Sequence, residues 1–142
     1  MIPKDIFLGV LYSSSKKSIT IFRSADTNFG YKIRFAISLR GTELFLKIMQ
    51  ERLEYEGIKS SLNLLESKTR PRPILKITEV YNLIKLIELI ESNTFLNPKQ
   101  NPIFENDTWF KYKEALFLML DKKHYTDKGF KRMLEIKEEV KI

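Results

Sequence analysis

The clearest hydrophobic pattern in the chain is the alternation of residues 31–39, YKIRFAISL. Successive side chains of a β-strand point to opposite faces of the sheet, so every second residue shares a face. One face would carry Ile33, Phe35, Ile37 and Leu39, and the other would carry Lys32, Arg34, Ala36 and Ser38. The pattern predicts a strand with an apolar face towards a core and a basic face towards solvent.

The rest of the chain divides into helical and extended segments. Apolar residues recur at the helical period between a predicted N-cap at Thr42 and a glycine stop at Gly57. Further helices are predicted over residues 3–12, 79–92, 107–122 and 126–141. Further strands are predicted over residues 18–24, 59–67 and 74–78. Residues 26–30 and 68–73 have turn chemistry, and residues 93–102 are predicted to form a loop.

These elements follow the order αββαββα, with further helices at the C-terminus. Two hairpins without a parallel crossover indicate an α+β fold, in which helices cover one face of a four-stranded antiparallel sheet. A length of 142 residues with 43% hydrophobic content fits a single domain, residues 1–142.

The net positive charge is confined to one part of the chain. Lys and Arg outnumber Asp and Glu by seven within residues 16–76 and balance them on either side. That segment holds the predicted strands, so the charge would lie on a sheet surface that can follow a phosphate backbone. The predicted nucleic-acid-binding residues are Lys16, Lys17, Arg23, Lys32, Arg34, Lys68, Arg70, Arg72 and Lys76. The alternative is a solvated sheet face whose charges prevent edge aggregation.

Several kinds of site are excluded or not predicted. The chain has no cysteine, which excludes disulfides, thiolate zinc sites and cysteine nucleophiles. His124 is the single histidine, and we expect it to cap a helix or lie at the surface rather than bind a metal. No metal site is predicted, because no cluster has ligand spacing. The sequence shows neither a membrane span nor a secretory signal, so we expect a soluble, cytoplasmic protein with no membrane partner.

Four stretches of sequence carry a family resemblance. They are FLGVLYSSSKK (residues 7–17), GTELFLKIMQERL (41–53), ILKITEVYNLIKLIELI (74–90) and KHYTDKGFKRMLEIK (123–137). In this order they resemble the signature helix, the helix after the first hairpin, the last strand with its following helix, and the C-terminal pattern of the LAGLIDADG homing endonuclease family. Gly9 matches the glycine of the signature. The resemblance covers about residues 5–137 and implies an αββαββα fold that reads DNA through a saddle-shaped sheet.

The resemblance is broken at the residues that would bind metal. Active members carry an acidic residue at the end of the signature helix that binds a divalent cation, and the matching position here is Ser14, with Tyr12 at an earlier acidic position. A neutral hydroxyl does not replace the anionic oxygen ligands of Mg²⁺. We therefore predict a degenerate member with no catalytic residue and no cofactor, which binds double-stranded DNA sequence-specifically, for example as a regulator.

Three alternatives remain open. In the first, the chain cleaves DNA at a specific site and uses Mg²⁺ and other acidic residues. In the second, it is an RNA-binding maturase-like factor. In the third, it is a module whose basic face binds an acidic protein. Duplex DNA and structured RNA are distinguishable partners, because side chains cannot read the deep, narrow major groove of A-form RNA.

The first predicted helix has a second expected role. Gly9 and Ser13 share a helix face on which another helix can approach closely. The resemblance implies that a chain with one signature helix pairs with a second copy. The predicted homodimer interface consists of Phe7, Gly9, Val10 and Ser13, and the alternative is packing within one chain. By the same resemblance Lys16 and Lys17 would lie near the central phosphates of the DNA, and their alternative is a charged turn.

Overall fold

The computed structural model describes residues 1–25, 30–93 and 107–139. The elements in these ranges are α1 (Lys4–Ser14), β1 (Lys16–Arg23), β2 (Tyr31–Arg40), α2 (Glu43–Tyr55), β3 (Ser61–Asn63), β4 (Ile74–Ile77), α3 (Val80–Glu91), α4 (Asp107–Leu120) and α5 (Asp127–Glu139). A 3₁₀ turn, Lys123–Tyr125, connects the last two helices. The predicted αββαββα order with additional C-terminal helices is confirmed.

The four strands form one antiparallel sheet in the order β1-β2-β4-β3. β1 pairs with β2 along its whole length, from Lys16 opposite Ser38 to Arg23 opposite Tyr31. β4 pairs only with residues 37–40 of β2, and β3 pairs with the other edge of β4. Within the described sheet, residues 31–36 of β2 therefore pair with β1 alone.

The helices cover one face of the sheet, and the core lies between the two layers. The alternating apolar residues of β2 are the buried ones, as predicted, and none of the four is more than 7% exposed. They pack with apolar side chains from the helices, among them Leu11, Met49, Leu83 and Met133. Tyr112 of α4 is fully buried, and its hydroxyl donates to the carbonyl oxygen of Ala36 at 3.1 Å, with that of Ser18 at 3.3 Å. This contact fixes α4 against the paired strands β1 and β2.

Local sequence signals explain several element ends. The Thr42 side chain accepts a hydrogen bond from the backbone N–H of Phe45 at 3.2 Å, which caps α2 as predicted. Gly57 follows this helix with a φ of +77°, a conformation that favours glycine. At the start of α5, a Cβ on Gly129 would lie 1.9 Å from the carbonyl oxygen of Lys123. Glycine at that position allows α5 to pack directly on the 3₁₀ turn.

The second hairpin is shorter than predicted. The predicted strand over residues 59–67 contains only Ser61–Asn63 as strand. Beyond it, the N–H of Glu66 donates to the carbonyl of Arg72 at 2.9 Å, and the N–H of Ser67 donates to that of Arg70 at 3.1 Å. The backbone groups of residues 66–72 therefore form hydrogen bonds with one another. The pairing of β3 with β4 stops at Asn63.

Some predicted elements fall on residues that the structure does not describe. The turn at residues 26–30 and the loop at residues 93–102 lie outside the described ranges, apart from Gly30 and Asn93. The last predicted helix is described as far as Glu139. Among the described helices, none has the length and apolar character required to cross a membrane.

Candidate nucleic-acid interface

The face of the sheet opposite the helices, called the outer face below, is the candidate binding surface. Strand register brings Lys16, Ser18, Thr20 and Phe22 of β1 beside Ser38, Ala36, Arg34 and Lys32 of β2 on this face. Lys76 of β4 lies opposite Ser38, and Arg40 follows by alternation. The cations of the outer face are therefore Lys16, Lys32, Arg34, Arg40 and Lys76. The structure gives Lys32 and Arg34 the orientation predicted from alternation, and their contact with nucleic acid stays a prediction.

A second group of cations, the loop cations Lys68, Arg70 and Arg72, lies between β3 and β4 and is exposed. Glu66 connects this loop to the outer face: its carboxylate lies 2.5 Å from Nε of Arg40, 3.8 Å from Arg70 and 3.7 Å from Arg72. The hydrogen bond from Arg40 is the main cause that holds the pKa of Glu66 below its usual value. Glu66 therefore remains an anion near neutral pH and fixes the loop beside the sheet.

Two residues of the outer face were missed in the sequence. Both could have been found from strand alternation. Leu39 of β2 faces the core, so the next residue, Arg40, faces outwards. Ile21 of β1 likewise faces the core, so Phe22 faces outwards. The guanidinium of Arg34 lies over the Phe22 ring, with Cζ 5.1 Å from the ring centroid. Phe22 is the one aromatic side chain among the outer-face positions of the four described strands.

Lys17 does not lie on the outer face, which corrects its predicted place beside Lys16. It pairs with Ile37 on the helix-covered side, is 6% exposed, and has Nζ 4.2 Å from the ring centroid of Trp109. Burial lowers the pKa of Lys17 to about 8. Because neighbouring strand residues point to opposite faces, only Lys16 of this pair can contact a ligand on the outer face.

Arg23, like Lys17, lies on the side of the sheet opposite Lys16, Lys32 and Arg34. It is exposed, but it pairs with Tyr31 and shares a face with Ile19 and Ile21. The predicted contact of Arg23 with nucleic acid would therefore not be made from the outer face. The strand ends at Arg23, so solvent reaches the side chain although it stands on the core-facing side.

The end of α1 carries hydroxyl groups where the resemblance implied carboxylates. Ser14 is exposed and is the last residue of the helix. Next to it, Ser13 Oγ donates to the carbonyl of Gly9 at 2.7 Å. Tyr12 is half-buried and stacks on Trp109, with ring centroids 5.6 Å apart.

The acidic residue of α1 does not lie at the end that carries Ser14. Asp5 lies at the opposite end of α1, where it accepts a hydrogen bond from Asn93 Nδ2 at 3.0 Å. In the described ranges no group of three or more His, Cys, Asp or Glu side chains is placed to hold a metal ion. Serine hydroxyls at the end of α1 can hydrogen-bond to a phosphate or a base edge, but they supply no negative charge for a divalent cation.

The outward face of α1 differs from the predicted dimer interface at one position. Phe7 is fully buried in the core, whereas its neighbour Ile6 is 56% exposed. A Cβ on Gly9 would meet no atom within 4 Å. One side of the helix, called the α1 stripe below, carries the exposed residues Ile6 and Ser13 and the half-buried residues Gly9 and Val10, of which Val10 also packs against the core. Phe7 was assigned wrongly because α1 has apolar residues on most of its sides. Its sequence therefore does not tell which side packs on the core of the same chain.

His124 is buried in the 3₁₀ turn rather than at the surface, with 5% of its area exposed. Its ring packs on Tyr125 at a centroid distance of 4.0 Å. Burial lowers the pKa of His124, and a hydrogen bond to the Leu118 backbone partly opposes this shift. The contacts indicate a structural role in joining α4 to α5.

Comparison with known proteins supports the fold. No protein-family model and no curated protein matches the sequence. The crystal structure of the homing endonuclease I-TnaI matches with a TM-score of 0.79 and 17% identity, over 99% of this chain and 89% of that chain. The archaeal intron-encoded homing endonuclease I-Vdi141I, complexed with DNA, matches with a TM-score of 0.75 and 17% identity, over 96% of this chain and 80% of that chain.

A longer protein gives a similar match. The LAGLIDADG homing endonuclease I-LtrWI, bound to target DNA, has a TM-score of 0.77 and 14% identity, over 99% of this chain and 44% of that chain. The chain therefore has the LAGLIDADG homing endonuclease fold.

Proposed function

We propose that this chain binds double-stranded DNA sequence-specifically, as a homodimer, and does not cleave it. The observation that carries the proposal is the outer face, which none of the described helices covers. Strand register collects five cations on it, and Glu66 fixes the loop cations beside it. Two proteins with this fold, I-Vdi141I and I-LtrWI, have structures in complex with DNA. A non-cleaving protein that occupies a defined site would act as a regulator of the neighbouring sequence.

The outer face combines two kinds of group that duplex recognition requires. Lysine and arginine side chains neutralise phosphates, and arginine also binds guanine through two hydrogen bonds in the major groove. Between the cations lie the neutral hydroxyls of Ser18, Thr20 and Ser38. Hydroxyls donate to or accept from base edges without adding charge. This mixture supports reading of a sequence rather than purely electrostatic attachment.

Pairing of two copies is supported by the α1 stripe and by chain length. Ile6 of the stripe is 56% exposed in the single chain, and the glycine and serine beside it leave room for a second helix. This chain corresponds to 89% of I-TnaI but to 44% of I-LtrWI, a chain long enough for two such units. A second copy on the stripe would place two outer faces side by side, so the preferred site would be pseudo-palindromic.

Selection from random duplex DNA tests the proposed function. We expect a pseudo-palindromic site, bound with an affinity that falls linearly with salt on logarithmic axes, with a slope of about −0.9 for each phosphate contacted. Fluorescence anisotropy at several salt concentrations measures the slope. Structured RNA that displaces the duplex at equal concentration would favour the RNA-binding alternative, and an affinity that does not change with salt would contradict the proposed interface.

An active endonuclease is the second candidate, because the matching structures are named as homing endonucleases. We expect supercoiled plasmid carrying the selected site to remain intact with Mg²⁺ or Mn²⁺, because Ser14 offers no anionic ligand. Agarose gels of nicked and linear forms measure the outcome. Nicking that disappears when one acidic residue is replaced would overturn the inactive assignment and leave the DNA-binding assignment standing.

A further inference from the structure

Phe22 is the most unusual side chain of the outer face. The other outer-face positions of β1 are Lys16, Ser18 and Thr20, all polar. Phe22 lies on the side of the sheet away from the described helices; it is half-buried and does not belong to the main core cluster. Phenylalanine is common in strands, so its presence alone does not imply recognition. Its position under Arg34 carries the inference.

The contact between the two side chains limits how Arg34 can move. Thr20 lies opposite Arg34 and Phe22 opposite Lys32, so Phe22 and Arg34 are diagonal neighbours on one face. The Arg34 guanidinium packs on the Phe22 ring at 5.1 Å, which is within the range of a cation–π contact. Among the described residues no carboxylate forms an ion pair with Arg34. The N–H groups of Arg34 therefore stay available for a ligand while its guanidinium lies over the Phe22 ring.

The two groups have distinct complements in the major groove. Arginine binds guanine O6 and N7 through two hydrogen bonds, and a phenylalanine ring contacts the 5-methyl group of thymine. That methyl is the apolar group that base edges present in this groove. Neighbouring base pairs lie about 3.4 Å apart along the axis, so groups about 5 Å apart fit adjacent base pairs.

We infer that Phe22 and Arg34 act as one reading unit that recognises a thymine on the base pair next to a guanine in each half-site. The inference rests on the proposed function and specifies part of its target. Phe22 contributes the contact with the thymine methyl and positions the guanidinium that binds guanine. The net charge and the basic residues alone would not assign a base preference to the hairpin of β1 and β2.

Deoxyuridine substitution tests the inference, because it removes only the 5-methyl group of thymine. Each thymine of the selected site is replaced in turn, and affinities are measured for the wild type, Phe22→Ala and Phe22→Thr. We expect one thymine per half-site, adjacent to guanine, at which deoxyuridine weakens wild-type binding about three- to fivefold, the effect of burying one methyl group. Both variants should bind the thymine and deoxyuridine sites nearly equally, because alanine and threonine side chains end well short of the position of the Phe22 ring.

The controls separate reading from folding. Phe22→Thr introduces a β-branched residue that suits a strand, and thermal unfolding of both variants shows whether the sheet is intact. Equal deoxyuridine effects in the wild type and in a folded Phe22 variant would overturn the inference, because another group would then contact the methyl. Wild-type binding without any deoxyuridine effect would overturn this inference alone. Failure of the wild type to bind any duplex would overturn the proposed function and the inference with it.

Discussion

Replacing Gly9 with leucine is expected to separate the proposed dimer into monomers. A Cβ at Gly9 meets no atom within 4 Å in the single chain, and leucine forms helices better than glycine does. The larger side chain is therefore compatible with the folded chain and obstructs only a second helix on the α1 stripe. A monomer contacts one half-site, so affinity for the full site should fall by about 10²–10⁴-fold. Sedimentation velocity and a binding titration measure both effects.

Two variants act as controls for the Gly9 substitution. Gly9→Ala adds one methyl group at the same position and should weaken pairing less. Lys131→Leu introduces the same side chain at an exposed position of α5 and should leave the protein dimeric. A Gly9→Leu protein that sediments like the wild type would show that the α1 stripe is not the interface.

Arg34→Ala and Arg23→Ala should differ sharply in DNA binding. Both substitutions remove one exposed arginine and change the net charge equally, but strand register places the two side chains on opposite faces of the sheet. Loss of Arg34 should weaken specific binding by about 1–3 kcal/mol, the usual contribution of a bidentate contact to a base. Loss of Arg23 should have a much smaller effect, because its side chain points away from the DNA. Titrations with the selected duplex measure the difference.

Binding to a scrambled duplex distinguishes base reading from charge. Arg34→Ala should reduce the preference for the selected site over the scrambled one, whereas Arg23→Ala should leave the preference unchanged. Arg34→Lys should fall between them, because lysine keeps the charge and loses the planar fork. Equal losses for the two alanine variants would mean that the outer face does not contact the bases.

Sequence alone predicted the elements whose signals are local. The alternation of β2 determined both of its faces, because a one-residue shift would bury Lys32 and Arg34 and expose four apolar side chains. The N-cap at Thr42 and the glycine stop at Gly57 bounded α2 within a few residues. The order of elements then restricted the sheet to an antiparallel arrangement, and the family resemblance implied the same architecture.

The features that sequence did not reveal depend on contacts between distant parts of the chain. Lys17 is buried because Trp109, from a helix far along the sequence, provides an aromatic surface for its ammonium group. Arg40 belongs to the site but is held by Glu66 from the next hairpin. No local pattern indicates either contact. Only assembly of the core decides that Ile6 rather than Phe7 faces outwards.

The uneven pairing of β2 has a consequence for how a target is followed. Past the point where β4 stops, the first hairpin continues as a two-stranded ribbon that carries Phe22, Lys32 and Arg34. Two-stranded ribbons coil more strongly than wider sheets, so this part can wind with a groove instead of leaving it after a few base pairs. Exchanges of solvent-facing side chains on the ribbon would change the bases preferred at the flanks of the target. The packed core of the protein would stay the same. Such a division lets target preference drift without loss of the folded scaffold.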